Sequence, residues 1–336
     1  MTGRHANVAF FVPHLGCPNQ CSFCNQRTIS GQQNPPSPQE VSAVCREALE
    51  RLGERAERAE IAFFGGSFTA IERGYMVSLL EAAFPFTGKG RFSGIRVSTR
   101  PDAVEDEVLE LLKGYGVTVI ELGAQSMDDR VLEKNLRGHT AAQVEDAARR
   151  IHRHGFSLGL QMMTGLDGQD SESCLDTAAR LAELEPECVR IYPTVVLRGT
   201  LLAERLLKGT YTPPSLEETI SLGARLLDFF EERGIPVIRL GLHASREVEE
   251  QMLAGGYHPA LGELCQARRF LFREREALDG LPEESGEILL AVHPRDISKA
   301  LGQKRENLRL LEQEGRRVRL VQDEKIKPGT VQVYGG

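Results

Sequence analysis

Short apolar runs recur along the chain, each separated from the next by enough polar-patterned sequence to form a helix. The strand candidates are NVAFFVPH (7–14), EIAFFGG (60–66), GIRVSTR (94–100), VTVIELGAQS (117–126), FSLGLQMMTG (156–165), VRIYPTVVL (189–197) and PVIRLGL (236–242). They are rich in Val, Ile and Phe and apolar at consecutive positions, the pattern of strands covered on both faces. Between them lie amphipathic stretches with helix-start signals: Ser37, Pro38 and Glu40 open one, Thr140 opens a second that stops at Gly155, and Ser215 with Glu218 forms a capping box. Strand and helix alternating about six times predict a parallel sheet with right-handed crossovers. Such a series closes into a doubly wound sheet or into a full or partial (β/α) barrel.

The pattern changes after about residue 265. A charged, helical or loop-like stretch gives way to ILLAVHPRDISKALGQKRENLRLLEQEGRRVRLVQDEKIKPGTVQVY, which reads as strand, helix, strand and a last short strand. The predicted organisation is a barrel with its extension over 1–260, a connecting helical segment over 261–290 and a small basic α/β appendage over 291–336. From Arg295 onward ten Lys or Arg face six Asp or Glu, a local excess of positive charge in a chain whose net charge is -7. The overall negative charge argues against the whole molecule acting as an electrostatic glue for nucleic acid or anionic membrane, while leaving room for a local basic surface. No run approaches the ~18 apolar residues of a membrane span. The amino-terminal stretch lacks the apolar core and cleavage pattern of a signal peptide, so a cytoplasmic location without membrane attachment is expected.

Seven cysteines are distributed unevenly. Cys45, Cys174, Cys188 and Cys265 are scattered in apolar patterns and read as small buried hydrophobes. Cys17, Cys21 and Cys24 crowd into FVPHLGCPNQCSFCNQRTISG, just after the first strand. Clustered thiols in a chain of this size favour a metal or redox role over a disulfide framework. A structural zinc site needs four ligands, which His14 could complete. Three thiolates on one loop also suit a [4Fe–4S] cluster with one iron left open for chemistry.

Cys-x-x-x-Cys-x-x-Cys in a loop after the first strand of a β/α series resembles the signature of the radical SAM enzymes, and Phe23 matches the aromatic that family carries before the last cysteine. The resemblance implies a partial to near-complete parallel barrel of radical SAM type. It also implies a [4Fe–4S] cluster on Cys17, Cys21 and Cys24, and S-adenosylmethionine bound at the open iron through its amino and carboxylate groups. Reductive cleavage would then release a 5′-deoxyadenosyl radical, with the electron supplied by a reductase or a flavodoxin- or ferredoxin-type donor. FFGGSF places Gly65, Gly66 and Ser67 where the family has a glycine-rich segment facing the methionine amino group, with Ser67 at a position that commonly carries an acid. VSTRPD, with Ser98 and Arg100, resembles the third-strand segment of the Elongator catalytic subunit group. ELGAQSMDDRVLEKNLRGHT, with Gln125, resembles both that group and the oxygen-independent coproporphyrinogen oxidases. GLQMMTGLDGQD resembles the fifth-strand segment flanking the adenine, with Gln161 as the contact, while Met163 reads as core. Residues 190–227 resemble the extension that follows the core in the Elongator-type group. Its acetyltransferase domain is not expected here.

In a parallel barrel functional residues collect at the carboxyl ends of strands, which makes Arg190, Tyr192, Arg198, Arg239 and His243 the substrate candidates. ISKALGQKRENLRLL resembles the loop and helix of RNA-binding KH domains, with Gly302 present and Arg305 in place of the second glycine. Lys299, Lys304, Arg309, Arg316 and Arg317 nearby would give a phosphate-contacting surface. The function expected is therefore a radical SAM enzyme acting on RNA or tRNA. The alternatives are a coproporphyrinogen-oxidase-like enzyme on a small molecule and a non-catalytic iron–sulfur binding protein.

Overall fold

The computed structural model describes residues 6–12, 15, 17, 21–25, 28, 34–282 and 286–334. His14, the fourth ligand of the zinc alternative, lies outside the described residues. The chain divides into two compact units, one formed by Met1–Ser215 with Phe230–Pro259 and the other by Leu216–Phe229 with Ala260–Gly336. Among the described residues no helix is long and apolar enough to cross a membrane.

The first unit holds β1 (Ala6–Val12), β2 (Ala59–Gly65), β3 (Ile95–Thr99), β4 (Val117–Gln125), β5 (Ser157–Thr164), β6 (Cys188–Pro193), β7 (Val195–Leu197), β8 (Val237–Leu240) and β9 (Met252–Gly255). Seven of these form one all-parallel sheet in the order β1-β2-β3-β4-β5-β6-β8. The order follows the sequence without reversal, which rules out a doubly wound sheet with its switch point. The sheet is a curled partial (β/α) barrel. Helices start where the sequence signals them. Ser37 Oγ accepts from the Glu40 N–H, and the Glu40 carboxylate accepts from the Ser37 N–H at 2.7 Å. Thr140 and Gln143 make the same reciprocal cap.

One predicted strand is two. The run 189–197 leaves the sheet after Pro193, which has no N–H to extend the ladder. The Thr194 N–H donates to the Thr164 carbonyl at 2.8 Å, and β7 then pairs antiparallel with β9.

Charge fills part of the interior that the apolar runs alone would not suggest. Arg96 is 1% exposed and donates from Nε to Glu60 at 2.7 Å and from Nη1 to Glu121 at 2.8 Å. Arg190 donates from Nε to the other Glu121 oxygen at 2.8 Å. Buried ions at this depth persist only when paired and hydrogen-bonded, and this set draws on β2, β3, β4 and, across β5, β6.

In the second unit β10 (Ile288–Val292) pairs parallel with β11 (Val318–Gln322) and antiparallel with β12 (Val331–Val333). Between β10 and β11 the chain forms helix Ile297–Leu301, a turn over 302–305 and helix Glu306–Gln313. The segment read as a connector is helical over Leu261–Leu278, and its Leu271 and Leu278 pack with Ile288, Leu290 and Leu311 of the same unit.

Candidate active site

The three-cysteine loop is held from two sides. On one side the Gly66 N–H donates to the Val12 carbonyl at 2.8 Å and the Ser67 N–H to the Leu15 carbonyl at 3.0 Å. A Cβ on Gly66 would fall 2.1 Å from the Leu15 oxygen, and Gly65 has φ +108°, so only glycines allow this approach. On the other side the segment after β4 grips the loop. Ser22 donates its N–H to the Asn135 carbonyl at 3.1 Å and its hydroxyl to Asn135 Oδ1 at 2.8 Å. Arg137 donates to Cys21 Sγ at 3.1 Å and lies 6.0 Å from the centre of the Phe23 ring.

A cavity of about 240 Å³ opens at the carboxyl ends of the strands, lined by Cys17, Cys24, Phe23, Gly65, Gly66, Ser98, Arg100, Gln125, Gln161, Arg190, Tyr192 and His243 among the predicted residues. Met163, read as core, lies on the same wall while only 8% exposed. Gln161 donates to Gln125 at 3.2 Å, and Gln125 holds φ +67° at the end of β4, an unusual conformation for a residue other than glycine. Arg100 forms a two-point pair with Asp102.

Four predicted residues stand off the lining. Cys21 faces Arg137. Ser67 is fully buried, and its hydroxyl accepts from the Arg100 N–H at 3.0 Å, so its side chain fixes the turn after β3. Arg239 donates to the Gly241 carbonyl. Arg198 is exposed, because the break at Thr194 carries it away from the sheet. The reading by sequence missed Glu121 and Arg137, both on the lining. A Glu inside the apolar run VTVIELG and an Arg beside the helix end in EKNLRGHT were the available signals.

No disulfide joins any of the seven cysteines, and among the described residues no three His, Cys, Asp or Glu side chains converge on one metal-ion position. Burial raises the Cys17 pKa and the neighbouring Cys21 adds to this, while Arg100, Arg137 and the Ser67 amide pull it down. Two guanidiniums thus face the thiols, ready to compensate thiolates once a metal centre draws off their protons. Arg137 Nε is buried without a partner among the described residues. His139 is pushed down to about 4 by burial and Arg137, so it is a neutral ring. Soft sulfur donors on one loop, cationic compensation and a glycine-lined cavity fit an anionic iron–sulfur centre with a small ligand beside it.

The family model of the radical SAM superfamily matches residues 11–181, and that of the Radical_SAM C-terminal domain matches residues 186–271. An uncharacterised protein of Methanocaldococcus jannaschii is 29% identical over 228 residues, covering 65% of this chain and 69% of its own length. A tRNA uridine(34) acetyltransferase of Dehalococcoides mccartyi is 25% identical over 239 residues, 61% of this chain, and the chain spans 52% of that protein. Among solved structures the archaeal Methanocaldococcus infernus Elp3 superposes with a TM-score of 0.62 at 22% identity, over 83% of this chain and 64% of that one.

Proposed function

The chain belongs to the radical SAM superfamily, and from that premise we propose that this radical SAM enzyme works on RNA in the cytoplasm, with a flavodoxin- or ferredoxin-type protein or a reductase as its electron donor. Cys17, Cys21 and Cys24 would hold a [4Fe–4S] cluster, which, once reduced by that donor, would supply the one-electron chemistry of S-adenosylmethionine cleavage. The observation that carries the reading is the meeting of Cys17, Cys24, Gly65, Gly66, Gln125 and Gln161 around one cavity.

The chain's own residues have separable tasks. Asn135 and Arg137 fix the loop, and Arg137 with its unpartnered Nε offers a donor to a carboxylate beside the thiols. The paired amides of Gln125 and Gln161 present donors and acceptors suited to ribose or adenine. Phe11, Phe64, Val195, Leu197 and Leu242 add apolar side chains to the wall, which limits the entry of water.

RNA as the substrate is supported by two features. One is the similarity to a tRNA-modifying relative. The other is the strand–helix–turn–helix–strand order of the second unit, whose KH-like turn carries Lys304 and Arg305 in left-handed backbone conformation. The test is tRNA binding by anaerobically reconstituted protein as salt is raised. Binding that falls steeply with salt, and weakens on changing Lys304 and Arg305 to Glu, is expected. Salt-independent or undetectable binding refutes the RNA reading. Coproporphyrinogen incubated in parallel is expected to keep its carboxyl groups.

A further inference from the structure

Charge at the β6–β8 end of the cavity does not balance. Arg190 and Arg239 are register partners on these adjacent parallel strands. Arg190 spans the Phe64 ring, 4.9 Å from its centre, and shares Glu121 with Arg96, which also holds Glu60. In this set two guanidiniums face two carboxylates. Arg239 is left over. Its Nε donates to the Gly241 carbonyl at 2.8 Å, and no ion pair to it exists among the described residues. Burial lowers its pKa and Arg190 adds to this, while the Tyr192 hydroxyl acts against them. His243 on the cavity lining is likewise lowered by burial, then by Arg239 and Arg190. Each of these groups therefore has cations as its charged neighbours. A half-buried guanidinium in such company is costly until an anion arrives.

We propose that this end of the cavity is an anion-binding subsite, in which Arg190 and His243 meet an oxyanion of the substrate, a phosphate or a carboxylate, and Arg239 acts as a positioning residue that supplies the uncompensated charge. Guanidiniums suit such groups because their planar donors match two oxygens at once. Leu242, Val195 and Leu197 on the same lining leave room for an apolar body behind the anionic head. The subsite rests on the cavity being the substrate cavity of the enzyme proposed above.

The test is equilibrium dialysis of the S-adenosylmethionine-loaded holoprotein against phenyl phosphate, benzoate and the neutral benzyl alcohol. At least one anion is expected to bind tenfold or more tightly than the alcohol, a difference of about 1.4 kcal/mol. A preference for phenyl phosphate identifies a phosphate-bearing substrate such as a nucleic acid, and a preference for benzoate a carboxylate-bearing small molecule. Arg239→Gln should weaken the anion roughly tenfold, Arg239→Lys should restore most of it, and His243→Asn should weaken it severalfold. Arg198→Gln removes the same charge from an exposed site and should leave binding unchanged. Equal binding of anions and alcohol, or an Arg239→Gln protein that binds anions like the wild type, overturns the subsite. Dialysis reads no turnover, so absence of 5′-deoxyadenosine from reduced wild-type protein would sink the enzyme reading separately.

Discussion

Glu274 offers a prediction whose size follows from its surroundings. It lies on helix Leu261–Leu278 with no exposed surface, its carboxyl group buried beside the Asn307 side chain, which only partly offsets the loss of water. Burial pushes its pKa from 4.5 up to about 9. The folded second unit therefore keeps a proton that the unfolded chain gives up at neutral pH. The stabilising contribution is complete below about pH 4.5 and is lost progressively as pH rises to about 9, at ~1.4 kcal/mol per pH unit. At pH 7 that sums to a ceiling of roughly 3 kcal/mol. Glu274→Gln keeps the shape and removes the titration, so the variant should be the more stable protein, by a margin that grows with pH. Hydrogen exchange in peptides covering 288–292 and 318–322, corrected for intrinsic rates, reads the stability of this unit directly. Between pH 6 and pH 8 the protection of variant over wild type should rise by up to about 100-fold. A variant that is less stable at pH 8, or a difference that does not change with pH, would refute the reasoning.

Other outcomes follow from the first unit. Arg96→Met removes the cation that Glu60 and Glu121 share, leaves Arg190 on Glu121, and should cost about 3–5 kcal/mol. Urea unfolding checks this, and a loss under about 1 kcal/mol would contradict it. Asn135→Ala leaves the Ser22 hydroxyl and the Asp167 carbonyl without their partner. A cost of roughly 1–3 kcal/mol local to the loop is expected, read as slower and less complete cluster reconstitution. Replacing Cys17, Cys21 or Cys24 by Ala one at a time should abolish the broad visible absorbance of a reconstituted cluster, and undiminished iron and sulfide in all three would contradict the assignment.

Much of the barrel is legible in the sequence because its strands are covered on both faces, and only consecutive apolar residues satisfy that burial. The three thiols are legible because no packing requirement crowds cysteines within eight positions. The interior charges are harder to read. Glu60, Arg96, Glu121 and Arg190 each sit inside or beside an apolar run, and a single charge there looks like a strand edge until four strands bring them together. Arg198 shows the opposite failure, since a run that continues in sequence need not continue in the sheet once proline ends the ladder. Arg137 lies twelve residues beyond the strand end that carries Gln125, too far for strand-end reasoning. Its reach to Cys21 depends on the turn after a short helix.

What the three-cysteine loop does to S-adenosylmethionine separates a radical enzyme from an inert metal site. Anaerobically reconstituted wild-type protein, reduced with dithionite and given S-adenosylmethionine, should release 5′-deoxyadenosine and methionine in equal amounts, and the Cys21→Ala protein should release neither. A wild-type protein that binds zinc at these thiols, or that holds iron and sulfide yet leaves the sulfonium intact, would contradict the radical enzyme.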